Sequence, residues 1–446
     1  MGIKLPDDRK LFRPRSSNNA IRIYFLLFFI VIFAFIYREV LAGEIHKPFM
    51  PTPTLTRTAN SFAAEGETNF QAGKLDAAIS SYLDATRLEP NNSEIWSELA
   101  RIQAYSSNLL TTDAEKTARL QEAVASAEQA VAVNPEDSTA FAIQAFVYDW
   151  YSYPLYSGEE SAAYLLKAEN AIAKALQLDS QNALAIAFRA EIFLDQLRYN
   201  EALDYARRAV ELNPNLMDVH RIYGLVMESL GNSYEEAIES YKKAAEINPN
   251  LTFLYISIGV NYRQLKQTDL ALEYFAKAVK INEQNDIKDP IPYLAIANTY
   301  VNIGESFSAS RNVMKAVEFT PGNANVYAQL GLIYFKARNY ESSIPALDCA
   351  LNGCTALQSC IVRQECSEDS ALESVPDYVI TGLPLSDSTL VYYYTYGSVL
   401  SAMHRKGDEQ CVEAMRIFDI IKQKYADDAI TMSIVNSGEA VCNEVD

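Results

Sequence analysis

Between Ser61 and Asn352 the chain repeats one arrangement of small and polar positions. Two alanines lie seven residues apart, and a proline or polar residue follows five further on: Ala78 and Ala85 with Pro90, Ala123 and Ala130 with Pro135, Ala168 and Ala175 with Ser180, Ala202 and Ala209 with Pro214, Ala237 and Ala244 with Pro249, Ala271 and Ala278 with Glu283, Ala309 and Ala316 with Pro321. A spacing of seven returns side chains to nearly the same helix face, where small residues let a second helix approach, and the proline ends the helix. The pattern predicts helical hairpins, repeated. Upstream the polarity changes abruptly. The run from Ile23 to Tyr37 carries no charge, and with Arg22 and Arg38 snorkelling, residues 21–41 reach the ~20 needed to span a bilayer. The first 22 residues hold Lys4, Arg9, Lys10, Arg13, Arg15 and Arg22 against Asp7 and Asp8. Residues 1–20 are therefore expected as a basic cytoplasmic tail, 21–41 as a membrane helix with its N-terminus inside, and the remainder as extracytoplasmic. A cleaved signal peptide is the rival, since Val40-Leu41-Ala42 offers small residues, but the core is long and bulky and Arg38-Glu39 crowds the cleavage region. Residues 42–60, with the run His46-Lys-Pro-Phe-Met-Pro-Thr-Pro-Thr54, read as a stiff extended linker.

The periodic residues resemble the tetratricopeptide repeat, a unit of 34 residues built from two antiparallel helices. Ala237-Ile-Glu-Ser-Tyr-Lys-Lys-Ala-Ala-Glu-Ile-Asn-Pro249 is similar to the family's second helix, and Tyr327-Ala-Gln-Leu-Gly-Leu-Ile-Tyr334 to its first. Gly66, Gly224, Gly259, Gly331 and Gly397 hold the family's small position, with Trp96, Tyr293 and Tyr327 at its large one. The resemblance implies an all-α, right-handed superhelix: eight units over 61–352, a cysteine-rich insertion at 353–388, and a degenerate ninth unit with a capping helix at 389–446. It also implies a concave face that takes protein or peptide partners. Counted by the family's groove positions, Arg221, Glu228, Arg263, Gln264, Asn298, Asn302, Phe335 and Lys336 are the candidate contacts. Asn298 and Asn302 resemble asparagines that some members use to hold a peptide backbone, whereas the paired lysines of the carboxylate-clamp members are missing.

Departures from the period mark places where specificity is added. The second and third units run to 45 residues, an excess close to three helical turns. The third unit's extra piece, Asp149-Trp-Tyr-Ser-Tyr-Pro-Leu-Tyr-Ser-Gly158, offers Trp150, Tyr151, Tyr153 and Tyr156 either as an exposed contact patch or as packing against the next unit.

Composition then narrows the function. A formal charge of -19 is incompatible with extended contact to nucleic acid, and 28 tyrosines against 16 glycines and 16 prolines suit a helical chain. No nucleophile elbow, phosphate loop, dinucleotide glycine signature or His-Glu-x-x-His pair occurs, and His46, His220 and His404 lie far apart. The expectation is a scaffold with no catalytic role, no cofactor, no metal and no small-molecule substrate. The six cysteines, Cys349, Cys354, Cys360, Cys366, Cys411 and Cys442, bear on this most directly. Cys411 and Cys442 stand equally far from the turn at 425–428, which sets them side by side in a helical hairpin and predicts a disulfide. The other four lack the Cys-x-x-Cys grip of zinc or redox sites, so an even set on the exported side reads as disulfides whose pairing stays open. Two rivals make distinct predictions. An organelle import receptor with cytosolic repeats predicts free thiols, and a redox or zinc centre in the insertion predicts bound metal or titrating cysteines.

Overall fold

A computed structural model describes residues 19–41, 57–371, 375–405 and 409–445. The basic tail before residue 19 and the part of the linker at 42–56 lie outside the described residues. Two units separate, residues 1–57 and 58–446. In the first, α1 (Asn19–Leu41) is a continuous apolar helix whose window Asn19–Glu39, mean hydropathy 2.5, is long enough to cross a membrane.

Among the described residues the second unit, 58–446, is built of helices apart from an irregular stretch between Val362 and Leu390, and its helices pair in order. The hairpins are α2 (Ala59–Gln71) with α3 (Leu75–Leu88), and α4 (Ser93–Ser107) with α5 (Asp113–Val133). Then come α6 (Ser138–Tyr151), the short α7 (Pro154–Ser157) and α8 (Ser161–Leu178), followed by α9 (Ala183–Asp195) with α10 (Tyr199–Leu212) and α11 (Met217–Ser229) with α12 (Tyr234–Ile247). The series continues through α13 (Thr252–Gln264) with α14 (Thr268–Gln284), α15 (Ile291–Asn302) with α16 (Ser306–Phe319), and α17 (Ala324–Lys336) with α18 (Tyr340–Asn352). After α19 (Ala356–Val362) the last pair is α20 (Leu390–Met403) with α21 (Gln410–Tyr425), closed by α22 (Ala429–Val445). The extra length of the second unit lies in α5, 21 residues against 14 in α3; the third unit spends its excess on α7, a 3-10 turn and α8.

The recurring residues explain the packing. All seven alanine pairs are fully buried. At the small position the partner helix drives an aromatic or branched side chain into the space a methyl group would fill: a Cβ at Gly66 would meet the Tyr82 ring at 2.5 Å, at Gly331 the Leu347 Cγ at 2.5 Å, and at Gly397 the Phe418 ring at 2.5 Å. Phe275, opposite Gly259, is fully buried, which contributes about 2–3 kcal/mol of transfer free energy. Helix starts are capped locally, as when Asn92 accepts from the Ile95 amide at 3.3 Å and Asn182 from the Ala185 amide at 3.1 Å. The large position carries a second device. Trp96 Nε1 donates to the carbonyl of Pro90 at 2.9 Å, Tyr255 Oη to that of Pro249 at 2.9 Å, and Tyr327 Oη to that of Pro321 at 3.0 Å. His220 takes the same place in the fifth unit, bonded through Nε2 to the Pro214 carbonyl at 2.9 Å. Burial lowers its pKa, so the ring is neutral and donates.

Candidate interaction surface

The first helices of successive units line the inner face of the array. In units two to five much of this face is covered by the chain's own side chains. Arg101 on α4 binds Glu98 at 2.5 Å and reaches Asp218 on α11 at 3.1 Å. Tyr105 Oη donates to the other Asp218 oxygen, and Arg221 Nε donates to Tyr105 Oη at 3.3 Å. Arg221 then grips Glu191 on α9 with two bonds of 3.0 and 2.6 Å, and Trp150 on α6 donates to the same carboxylate at 3.0 Å. The result is a continuous ladder of charges and aromatics running through four units. Burial opposes the Arg101 and Arg221 charges, yet the carboxylates beside them hold both guanidinium pKa values above the usual arginine range. Phe253 on α13 stacks on Tyr105 with ring centres 5.5 Å apart, extending the filling to unit six.

This placement divides the eight groove candidates. Arg221 is 7% exposed and committed to Glu191, so it presents no free guanidinium to an extended peptide. Glu228 is partly buried and accepts from Tyr241 and Asn261 at 3.0 Å each. Arg263 is partly buried over the Phe275 ring, and burial lowers its pKa. Gln264, Asn302 and Lys336 are exposed, Asn298 is half-buried, and Phe335 packs on Tyr340 with ring centres 5.9 Å apart. The accessible candidates therefore sit in units six to eight. The aromatic stretch of the third unit is divided as well: Tyr151 is buried, Tyr153 is 59% exposed, and Trp150 and Tyr156 line a half-open pocket of about 500 Å³.

Sequence reasoning missed a seam where the edge of the first two units meets the edge of units five to nine. Asn250 donates to the Gln71 carbonyl at 2.9 Å and Asn285 to the Ala72 carbonyl at 2.8 Å. Asn325 donates to the Thr111 carbonyl at 2.6 Å, and Ser388 to Asp113 at 2.5 Å. Gly73, at φ +79°, lets the α2–α3 turn come so close to the Asn250 carbonyl that a side chain there has no room. Nothing in a 34-residue period announces contacts between residues more than 170 positions apart.

With this geometry in place, comparison with known proteins is informative. A family model described as tetratricopeptide repeat matches residues 189–252, and a second of the same description matches 254–285. Residues 189–252 and 254–285 are tetratricopeptide repeats. No curated protein matches it. Among solved structures this repeat protein is similar to TTC0263, a thermophilic tetratricopeptide-repeat protein of Thermus thermophilus, at 18% identity and TM-score 0.37, covering 46% of this chain and 98% of that one. The Cut9-Hcn1 hetero-tetramer structure of the APC/C matches at 14% identity and TM-score 0.48, over 71% of this chain and 54% of that one. YrrB, described as having an unusual peptide-binding site, matches at 22% identity and TM-score 0.31, over 45% and 95%.

In the repeat protein all six cysteines are paired: Cys349 with Cys354, Cys360 with Cys366, and Cys411 with Cys442, with Cα separations of 4.8, 5.3 and 5.5 Å. The pairing left open in sequence is thus sequential. Gly353, at φ +80°, reverses the chain at the end of α18 and returns Cys354 to Cys349. The insertion is held against the eighth unit. Cys354 and Ile380 exchange backbone bonds of 3.0 Å, and Arg363, buried, donates to Tyr327 Oη at 3.0 Å and to Glu365 at 2.9 Å.

Proposed function

We propose that this chain is a membrane-anchored scaffold whose repeats stand on the extracytoplasmic side and bind partner proteins or extended peptides without catalysing a reaction. Tetratricopeptide repeats are protein-interaction modules, and that much follows from the family. The finer reading is carried by one conjunction: a helix with an uncharged run from Ile23 to Tyr37, preceded by basic residues, stands ahead of an array whose described cysteines are all disulfide-bonded, and disulfides persist in oxidising compartments. Arg263, Gln264, Asn298, Asn302, Phe335 and Lys336 are the proposed partner contacts, because much of the inner face of units two to five is already covered by the buried ladder.

Two measurements test the reading. Intact mass after alkylation, without and then with reduction, should show no labelled cysteine and then six. Protease added to sealed, right-side-out cells or vesicles should degrade the repeats while sparing a short N-terminal fragment. Six alkylated cysteines before reduction, or repeats protected from protease, would contradict the exported scaffold.

A further inference from the structure

The half-open pocket of about 500 Å³ lined by units two to seven has a chemistry that the buried ladder leaves unfinished. Its wall includes Trp150, Tyr156 and Phe253, and it includes Glu191 and Asp195 on α9. Behind Asp195 stands Asp149 on α6, 2% exposed, and neither of its carboxylate oxygens receives a hydrogen from a protein donor. Its one polar contact is the Asp195 carboxyl. A buried acid facing only another acid is unfavourable unless a proton or a cation lies between or beside them.

Charges around the cavity can be matched one by one. Arg221 neutralises Glu191 through its two-bond grip, and its guanidinium already lies 5.7 Å from the Trp150 ring centre. Lys116 and Asp289 border the cavity with opposite signs. Burial, followed by the Asp195 and Glu191 charges, drives Asp149 well above the carboxylate range, whereas Asp195 is raised only to about 6. Of the two, Asp149 is the one that holds its proton the more firmly and donates toward Asp195, which has no salt bridge among the described residues. Asp195 is exposed to solvent and lines the pocket. One negative charge, an aromatic wall and room for a small group remain.

We propose that this cavity binds an organic cation, a guanidinium or alkylammonium head group that pairs with Asp195 and lies against Trp150, Tyr156 and Phe253. Among the described residues no group of three or more His, Cys, Asp or Glu side chains is placed to hold a metal ion. Rings with a carboxylate suit a soft, partly apolar cation. The head group belongs either to a free amine or to the side chain of a partner peptide. The inference goes beyond the scaffold reading and does not depend on where the chain resides.

The test uses Trp150 as its own reporter. Trp96→Phe in the full chain leaves Trp150 as the sole indole, and its fluorescence is titrated with N-acetyl-arginine amide, with butylammonium chloride, and with a decapeptide carrying one central arginine. Sodium acetate and sodium chloride at matched ionic strength are the controls. A saturable change with the cations but not with the sodium salts, weakened about tenfold or more by Asp195→Asn, is the expected result. Response to the small cations alone identifies a free amine as the source, and stronger response to the peptide identifies a partner side chain; either supports the site. Asp195→Asn keeps an oxygen that can accept from Asp149 and removes the repulsion with Glu191, so it should leave the thermal midpoint unchanged or higher, and loss of binding is separable from loss of fold. No saturable change with any cation, or equal affinity in the Asp195→Asn protein, overturns the proposal.

Discussion

Replacing Cys411 and Cys442 together by alanine removes the covalent tie between α21 and the terminal α22. The two residues are 31 positions apart, and a loop of that length constrains the unfolded chain by about 3.7 kcal/mol on the chain-entropy relation. In a solenoid that energy is local, because each unit contacts its neighbours, and α22 has a neighbour on one side alone. The loss should therefore appear as fraying of the cap rather than as unfolding of the array. Hydrogen exchange read by mass spectrometry is the suitable assay: α22 amides should exchange faster by up to roughly 500-fold, the factor equivalent to that energy, while α9 to α12 remain as protected as before. The bridge from Cys349 to Cys354 closes a loop of five, so its removal should cost only about 2 kcal/mol and act on the insertion. Exchange in α22 indistinguishable from the parent protein would refute the reasoning.

Three further outcomes are expected. Arg221→Met alone should cost about 3–5 kcal/mol in chemical denaturation because it strands Glu191 beside Asp149 and Asp195, whereas Arg221→Met with Glu191→Gln should recover most of that loss. Burial raises the Asp289 carboxyl to about 6, so the native state holds a proton that the unfolded chain releases near 3.8; stability therefore falls as pH rises from about 4 to 6, by about 3 kcal/mol. Thermal midpoints of Asp289→Asn and the parent should accordingly converge as pH is lowered from 7 to 5, and a constant difference would contradict the assignment. Gly73→Ala adds a Cβ against the Asn250 carbonyl at a left-handed backbone position, costing about 1–2 kcal/mol from backbone strain alone. Faster amide exchange at 71–73 and 250–252, with a larger radius of gyration by X-ray scattering, is the expected signature.

Particular residues show what the sequence could reveal and where it stopped. The alanine pairs, the glycines under Tyr82, Leu347 and Phe418, and the symmetry of Cys411 and Cys442 about one turn are local, so their spacing exposes their roles. Arg221 was legible only in part. Its register places it on the inner face, but its partners Tyr105 and Glu191 stand 116 and 30 positions away, brought there by the curvature of the array. The cavity carboxyls share that origin, since Asp149 meets Asp195 across two units. His220 hid differently: the large position usually holds an aromatic, and an imidazole that makes the same bond to a proline carbonyl satisfies it equally. The sequential pairing of the four clustered cysteines had one available signal, the glycine between Cys349 and Cys354 that reverses the chain.

The seam changes what kind of polymer this array is. Repeat proteins commonly behave as one-dimensional chains in which unfolding begins at an end and moves inward one unit at a time. Here Asn250 with Gln71, Asn285 with Ala72, Asn325 with Thr111 and Ser388 with Asp113 tie residues 179, 213, 214 and 275 positions apart. Such pairs raise the contact order and slow the final docking step, because the intervening chain must be ordered before they form. Once formed, they couple the two ends. Melting the first two units then weakens the eighth and ninth, so denaturation should be steeper than a nearest-neighbour stack allows, with the amino-terminal hairpins serving as a latch for the carboxy-terminal ones.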